Sequence, residues 1–143
     1  MADVQSISPV LTVSDVDASM AFYRNVLGFP DGNVLRTPGG HAVHAMVQNG
    51  SAMIHFGPAE GASGSPERRG SGVIFYVELG DDYVDRYYES VVRNGANVVE
   101  PIETKPWGDR TFIVADPDGY QLMFAKPVRS VSMEEMQAAL SPA

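Results

Sequence analysis

The chain of 143 residues contains no cysteine. That absence excludes a disulfide scaffold, a zinc finger, an iron–sulfur centre and a thiol nucleophile together. Basic residues are scarce: ten Lys and Arg stand against eighteen Asp and Glu, for a formal net charge of −8. A nucleic-acid binder needs cationic side chains to displace counterions from phosphates, so no nucleic-acid partner is expected. The same balance suits a cationic ligand, or simply a solvated acidic surface. No apolar run approaches the roughly 20 residues that cross a bilayer, so no membrane partner is expected. The opening Met-Ala-Asp-Val-Gln-Ser lacks the basic and apolar regions of a secretion signal, which makes a cytoplasmic location the expectation. Gly-x-Ser-x-Gly, P-loop and dinucleotide fingerprints are all missing.

What is present is an ordinary globular balance, 44% apolar and 20% charged, at a length that fits one domain over 1–143. A domain of this size buries roughly 70% of the surface its unfolded chain exposes, enough to fold without staples. Residues 7–13 read as a strand. Asp15 and Asp17 are N-cap candidates for a helix over 18–27, with Phe22 above Val26, Tyr23 above Leu27 and Gly28 in the C-cap position. Two alternating apolar runs follow, 41–48 and 51–56, joined by Asn49-Gly50, a strong hairpin signal. With Asn49-Gly50 as a two-residue loop, Gln48 faces Ser51, Met46 faces Met53 and His44 faces His55. Both histidines and both methionines then share one face, and Val43, Ala45, Val47, Ala52, Ile54 and Phe56 form an apolar opposite face.

The Gly-, Pro- and Ser-rich stretch 58–71 reads as a linker or loop. Beyond it the pattern restarts: a strand over 73–79, caps at Asp81 and Asp82, a helix over 83–94 closed by Gly95, then strands over 97–100, 110–115 and 120–126. Asp116-Pro117-Asp118-Gly119 makes a tight turn between the last two. Val13 matches Val77, Phe22-Tyr23 matches Tyr87-Tyr88, and Val26-Leu27 matches Val91-Val92. The chain therefore reads as an α+β fold of two βαβββ modules, about 7–57 and about 72–127. Ser132-Met133-Glu134-Glu135 begins a short C-terminal helix over about 132–140.

A repeated βαβββ unit, opened by Val-Ser-Asp-Val-Asp-Ala-Ser-Met-Ala-Phe-Tyr-Arg-Asn-Val-Leu-Gly-Phe, resembles the vicinal oxygen chelate superfamily of glyoxalases, extradiol dioxygenases and bleomycin and fosfomycin resistance proteins. The later Pro-Trp-Gly-Asp-Arg-Thr-Phe-Ile-Val-Ala-Asp-Pro-Asp-Gly-Tyr-Gln-Leu-Met-Phe is similar to the closing segment of bleomycin-resistance-like members. The resemblance implies a cupped mixed sheet, a homodimer and metal ligands on the first and last strand of each module. Those positions fall on Ser8, His55, Gly72 (or Val73) and Met123. Only His55 is a good ligand for a divalent ion, so no metal and no cofactor are expected.

On the face implied for chemistry lie His44, Met46, Met53, His55, Val10, Thr12, Ile74, Tyr76, Gln121 and Met123. Apolar, aromatic and thioether groups with a few polar ones describe a pocket for a flat organic molecule. Trp107 borders the cleft in the family and could stack on a ring. The ligand-binding set is His44, Met46, Met53, His55, Tyr76, Trp107, Gln121 and Met123. Two functions stay open, with catalysis undecided: a protein that sequesters a hydrophobic or cationic small molecule, or a lyase- or isomerase-type enzyme using His44 or His55 as general base. A third is a partner-regulated module whose cup is vestigial.

Overall fold

A computed structural model describes residues 2–59, 69–80 and 83–140. The elements run β1 (Val10–Val13), α1 (Val16–Asn25), β2 (Asn33–Arg36), β3 (Ala42–Asn49), β4 (Ala52–Pro58), β5 (Ile74–Glu78), α2 (Val84–Arg93), β6 (Asn97–Thr104), β7 (Asp109–Ala115), β8 (Gln121–Pro127) and α3 (Met133–Ala139). This is the α+β arrangement of two βαβββ modules with a short C-terminal helix. Each module owns a mixed four-stranded sheet, ordered β1-β4-β3-β2 in the first and β5-β8-β7-β6 in the second. β1 runs parallel to β4 and β5 parallel to β8; the other pairs are antiparallel. The chain divides into two compact units: Met1–Ser71 with Asp116–Gly119, and Gly72–Ala115 with Tyr120–Ala143. No helix among the described residues is long and apolar enough to cross a membrane.

In the first unit, α1 begins where the Asp15 side chain accepts from the Ala18 N–H at 3.1 Å, satisfying an orphan amide donor of the first turn. Asp17 is not the cap; its carboxylate instead meets Arg36 of β2 at 2.6 Å. The helix buries Val16, Ser19, Met20 and Tyr23, one stripe at helical spacing. It ends through Gly28 at φ 76°, while the Phe29 N–H reaches back to the Tyr23 carbonyl at 2.9 Å. Ala45, Val47, Ile54 and Phe56 are buried on one face of the sheet, with Tyr23 against Phe56 at 5.1 Å between ring centroids. Gly32 lies so close to β3 that any Cβ would overlap the Met46 carbonyl oxygen.

The second unit repeats the plan with different side chains. Its helix packs Tyr87 and Tyr88 against Phe112 and Phe124, whose own rings stack at 5.2 Å. Val84 and Val91 are its buried ends. The stripe Val84, Tyr87, Tyr88, Val91 is thus the counterpart of Val16, Ser19, Met20, Tyr23. The sequence match of Phe22-Tyr23 with Tyr87-Tyr88 aligned aromatic pairs; helix phase aligns Tyr23 with Val91, because both are fully buried. The N-cap position belongs to Tyr83, without a side-chain cap bond. The expected caps Asp81 and Asp82, like residues 60–68 of the expected linker, lie outside the described residues. Gly57 and Pro58 complete β4 rather than open a loop.

Between β7 and β8 the turn closes with the Gly119 N–H donating to the Asp116 carbonyl at 3.0 Å, Gly119 taking φ 90°. Its two carboxylates are nearly inaccessible. Asp116 accepts from the buried Tyr23 hydroxyl at 3.1 Å. Asp118 accepts from the Ser14 N–H and from Arg69, both at 2.9 Å.

Candidate functional site

Strand register decides which side chains meet on the face of the first sheet opposite the Ala45–Phe56 core. β3 and β4 pair Asn49 with Ala52, Gln48 with Met53, Met46 with His55 and Ala45 with Phe56. This corrects the pairing expected from Asn49-Gly50: the two loop residues are Gly50 and Ser51. Gly50 takes φ 60° while neither Asn49 nor Ser51 has a positive φ, the pattern of a type II′ turn with glycine first. His44 is therefore diagonal to His55, not directly opposite. Moving the loop by one residue shifts each partner by two, and an even shift leaves every side chain on its face.

The two histidines still meet. His44 Nε2 lies 3.0 Å from His55 Nδ1, with the rings tilted at 42° and their centroids 5.2 Å apart. One imidazole donates and the other accepts. Met46 and Met53 share this half-buried face, with Met46 directly across from His55. Val10 pairs with His55 from β1, and Leu35 and Asn33 of β2 pair with His44 and Met46. No acidic side chain occurs in that array, and β2, counted in the βαβββ plan, had no residue range from the sequence.

The second unit presents a different patch. Tyr76 pairs with Met123, and Ile74 with Gln121, across β5 and β8; Ile113 of β7 lies beyond Met123. Tyr76 donates its hydroxyl to Asp109 at the start of β7. The Trp107 side chain lies close enough to act on that hydroxyl. Burial raises the Tyr76 pKa above its ordinary 10.0, helped by the Asp109 hydrogen bond and by the charges of Asp109 and Glu78, while Trp107 opposes the shift. Tyr76 and Trp107 nonetheless remain about half exposed, at 52% and 43%. Trp107 keeps part of its ring in solvent beside the Tyr76 hydroxyl. The acidic partner Asp109 was missed in the sequence; stepping back by alternation from Ile113 through Thr111 would have found it on this face. Thr111 is fully buried there, and among the described residues its hydroxyl has no hydrogen-bond partner.

The positions that the resemblance assigns to a metal do not fit a hard or borderline divalent ion. Ser8 precedes β1, which starts at Val10 and not at residue 7. Gly72 sits at φ 77° and offers no side chain, and Val73 offers only carbon. Met123 supplies a thioether, leaving His55 as the single suitable donor. Among the described residues no group of three or more His, Asp or Glu side chains is placed to hold a metal.

The Glyoxalase/Bleomycin resistance protein/Dioxygenase superfamily model matches residues 6–124. An uncharacterized protein of Mycobacterium bovis is 35% identical over 143 residues, covering 95% of this chain and 92% of the relative. An uncharacterized protein of Mycobacterium tuberculosis is also 35% identical, covering 95% of this chain and 82% of its own. Among solved structures, TioX from Micromonospora sp. ML1 superposes with a TM-score of 0.64 at 24% identity, covering 90% of this chain and 100% of that one. A glyoxalase/bleomycin resistance protein/dioxygenase from Nocardioides superposes with a TM-score of 0.70 at 21% identity, covering 93% of this chain and 90% of that one. Likeness at that identity speaks for the fold alone. By the family match, carried on two βαβββ modules, the chain belongs to the glyoxalase/bleomycin resistance protein/dioxygenase superfamily.

Proposed function

We propose that the protein binds and sequesters a planar, hydrophobic or cationic small molecule without a divalent metal, as a cytoplasmic homodimer of the bleomycin-resistance type. The observation that carries this reading is Trp107. Its ring is half exposed and stands beside Tyr76, whose hydroxyl is held by Asp109. A ring set against a fixed neighbour loses little freedom when a ligand stacks on it. The carboxylate of Asp109, the nearby Glu78 and the overall charge of −8 favour a cation over an anion at that place. Stacking on an aromatic ring contributes about 0.5–1.5 kcal/mol beyond burial, more if the ligand is cationic.

The test is a titration of the sole tryptophan's fluorescence with bleomycin-type glycopeptides and other planar aromatic cations. Emission should change on binding, and affinity should fall as salt screens the acidic surface. By calorimetry, Trp107→Ala should bind about two- to tenfold more weakly. Binding with unchanged emission, or equal affinity in Trp107→Ala, makes Trp107 structural. No binding of any such ligand rejects sequestration, and sedimentation of the purified chain as a monomer rejects the dimer.

A second reading rests on the contact between His44 and His55. In a bonded imidazole pair one ring is oriented by the other, the geometry a general base needs. A lyase- or isomerase-type reaction at this pair predicts that His44→Gln and His55→Gln abolish turnover while leaving binding at Trp107 intact.

A further inference from the structure

We infer that the cleft between α1 and β2, on the helix side of the first sheet, binds a small zwitterion with an apolar body, in chemical class an aliphatic α-amino acid. Asp31 takes the ammonium, Arg24 takes the carboxylate, and the side chain lies along the floor. This goes beyond the planar-cation reading and does not rest on it, since neither Trp107 and Tyr76 nor the histidine pair takes part.

The cleft follows from how the first unit is packed. Its helix lies on β3 and β4, the inner strands, while β2 is a four-residue edge. Val34 of β2 pairs with the buried Ala45 and so shares its helix-side face, yet stays only half-buried. An open cleft of about 470 Å³ remains, within the range of small-molecule sites. Met20 and Ala21 of α1, Val34 and Val47 give it an aliphatic floor. Gly32 borders it and has no room for a side chain, because a Cβ would overlap the Met46 carbonyl oxygen and stand 3.0 Å from the Met20 methyl. The loop before β2 therefore cannot fill the space. In the second unit α2 packs on β6 and β7 instead, so the helix there reaches the edge strand of its sheet.

Two charged pairs line this cleft, and they are not equivalent. Arg36 grips Asp17 through two nitrogens, at 2.6 and 3.1 Å, and donates to the Gly40 carbonyl at 3.2 Å. That fork is spent, and its hydrogen bonds hold the Asp17 carboxyl below its ordinary pKa. Arg24 meets Asp31 through one nitrogen at 3.4 Å, and its Nε donates to Asn25 at 3.1 Å. Among the described residues the Arg24 Nη2 and the Asp31 Oδ2 have no partner. A donor and an acceptor thus stand unspent beside the floor. An amine or a carboxylate alone would engage one and compete with the other, whereas a zwitterion engages both and leaves the Arg24–Asp31 contact in place.

Charge and spacing agree with that choice. The two arginines and two aspartates of the cleft sum to zero, so a ligand of zero net charge leaves no charge uncompensated. Met20 and Ala21 lie four and three residues before Arg24, on the same face of α1, which puts the floor one turn from the charged head. Asp17 stands about 10 Å along the helix from Arg24 and limits the length of the ligand.

The purified protein, with carbon-13 in its methionine and valine methyl groups, is titrated with L-leucine. Two analogues each lack one of its charges: isocaproate has no ammonium and isoamylamine has no carboxylate. Leucine should shift the methyl resonances of Met20, Val34 and Val47 and leave those of Met133 and Val92 in place, a readout on the unaltered protein that needs no variant to fold. A hydrogen bond to a charged group is worth about tenfold or more in affinity, so both analogues should bind at least about tenfold more weakly. Arg24→Gln and Asp31→Asn, both at exposed positions, should each weaken leucine binding to the same degree, whereas Arg93→Gln in α2 should not.

The inference is overturned if leucine at about 10 mM moves none of the Met20, Val34 and Val47 methyls. It is also overturned if isocaproate or isoamylamine binds as tightly as leucine, or if Arg24→Gln and Asp31→Asn leave the affinity unchanged. An equal loss in Arg93→Gln overturns it as well, since the overall field and not the cleft would then hold the ligand.

Discussion

The Tyr23 hydroxyl donates to the Asp116 carboxylate at 3.1 Å in a fully buried setting, joining residues 93 positions apart in sequence. Tyr23 is thereby both a core ring, packed on Phe29 and Phe56, and a polar tie to the β7–β8 turn. Tyr88, which the repeat in the sequence equates with it, packs on Phe112 and has no side-chain hydrogen bond among the described residues.

Tyr23→Phe keeps the ring and removes the donor to a buried carboxylate, which should destabilise the fold by about 1–3 kcal/mol. Tyr88→Phe should stay within about 0.5 kcal/mol of the parent. Urea unfolding followed by circular dichroism compares the two; equal effects would show that the tie carries no free energy.

Asp118 and Arg69 form an ion pair at 2.9 Å with side chains only 3% and 11% exposed. Removing one partner of a buried pair leaves the other charge uncompensated, at a cost of about 3–5 kcal/mol. Asp118→Ala also strips the acceptor from the Ser14 N–H and should reach that range. Arg69→Met, which fills similar space, should cost less when combined with Asp118→Leu than Arg69→Met does alone. A double-mutant cycle measures this, and strict additivity would contradict it.

Tyr76 binds its proton more tightly folded than unfolded, because burial and then Asp109 raise its pKa above 10.0. The stabilisation from this group is therefore full below about pH 10 and is lost as pH rises through the higher folded-state value. Asp109→Asn should move the Tyr76 titration down, while Trp107→Phe, which deletes the opposing group, should move it up. Carbon-13 tyrosine ring shifts followed through alkaline pH read both directions, and shifts of the same sign would refute the assignment.

Gly50 occupies a left-handed position at φ 60°. Gly50→Ala should cost about 1–2 kcal/mol, since Cβ crowds the following carbonyl there. Asn49 belongs to β3 and not to the turn, so Asn49→Thr should be close to neutral. A large loss at Asn49 as well as at Gly50 would restore the other loop, in which both residues take positive φ.

The local elements were legible because their causes are local. Asp15 caps the helix three residues ahead of the amide it satisfies, Gly28 and Gly119 supply backbone angles other residues avoid, and the Asp116–Gly119 turn closes on itself. Alternation likewise placed His44, Met46, Met53 and His55 on one face. It could not set their pairing, because a register displaced by two residues gives the same alternation; positive φ at Gly50 without positive φ at Asn49 goes with Met46 as the partner of His55. β2 escaped notice for a related reason. It has four residues, three of them exposed, and an irregularity at Leu35/Arg36, so it shows little pattern before β3 receives it.

The amino-acid sequence by itself determined two βαβββ modules, their helix ends and an acidic, cysteine-free composition, all properties of residue type and near neighbours. Tertiary structure alone decided that Tyr23 reaches Asp116, that Asp118 meets Arg69 and that Asp109 holds Tyr76 beside Trp107. Those contacts join segments far apart in the chain, and their partners are chosen by strand register and burial, which no short stretch of sequence encodes.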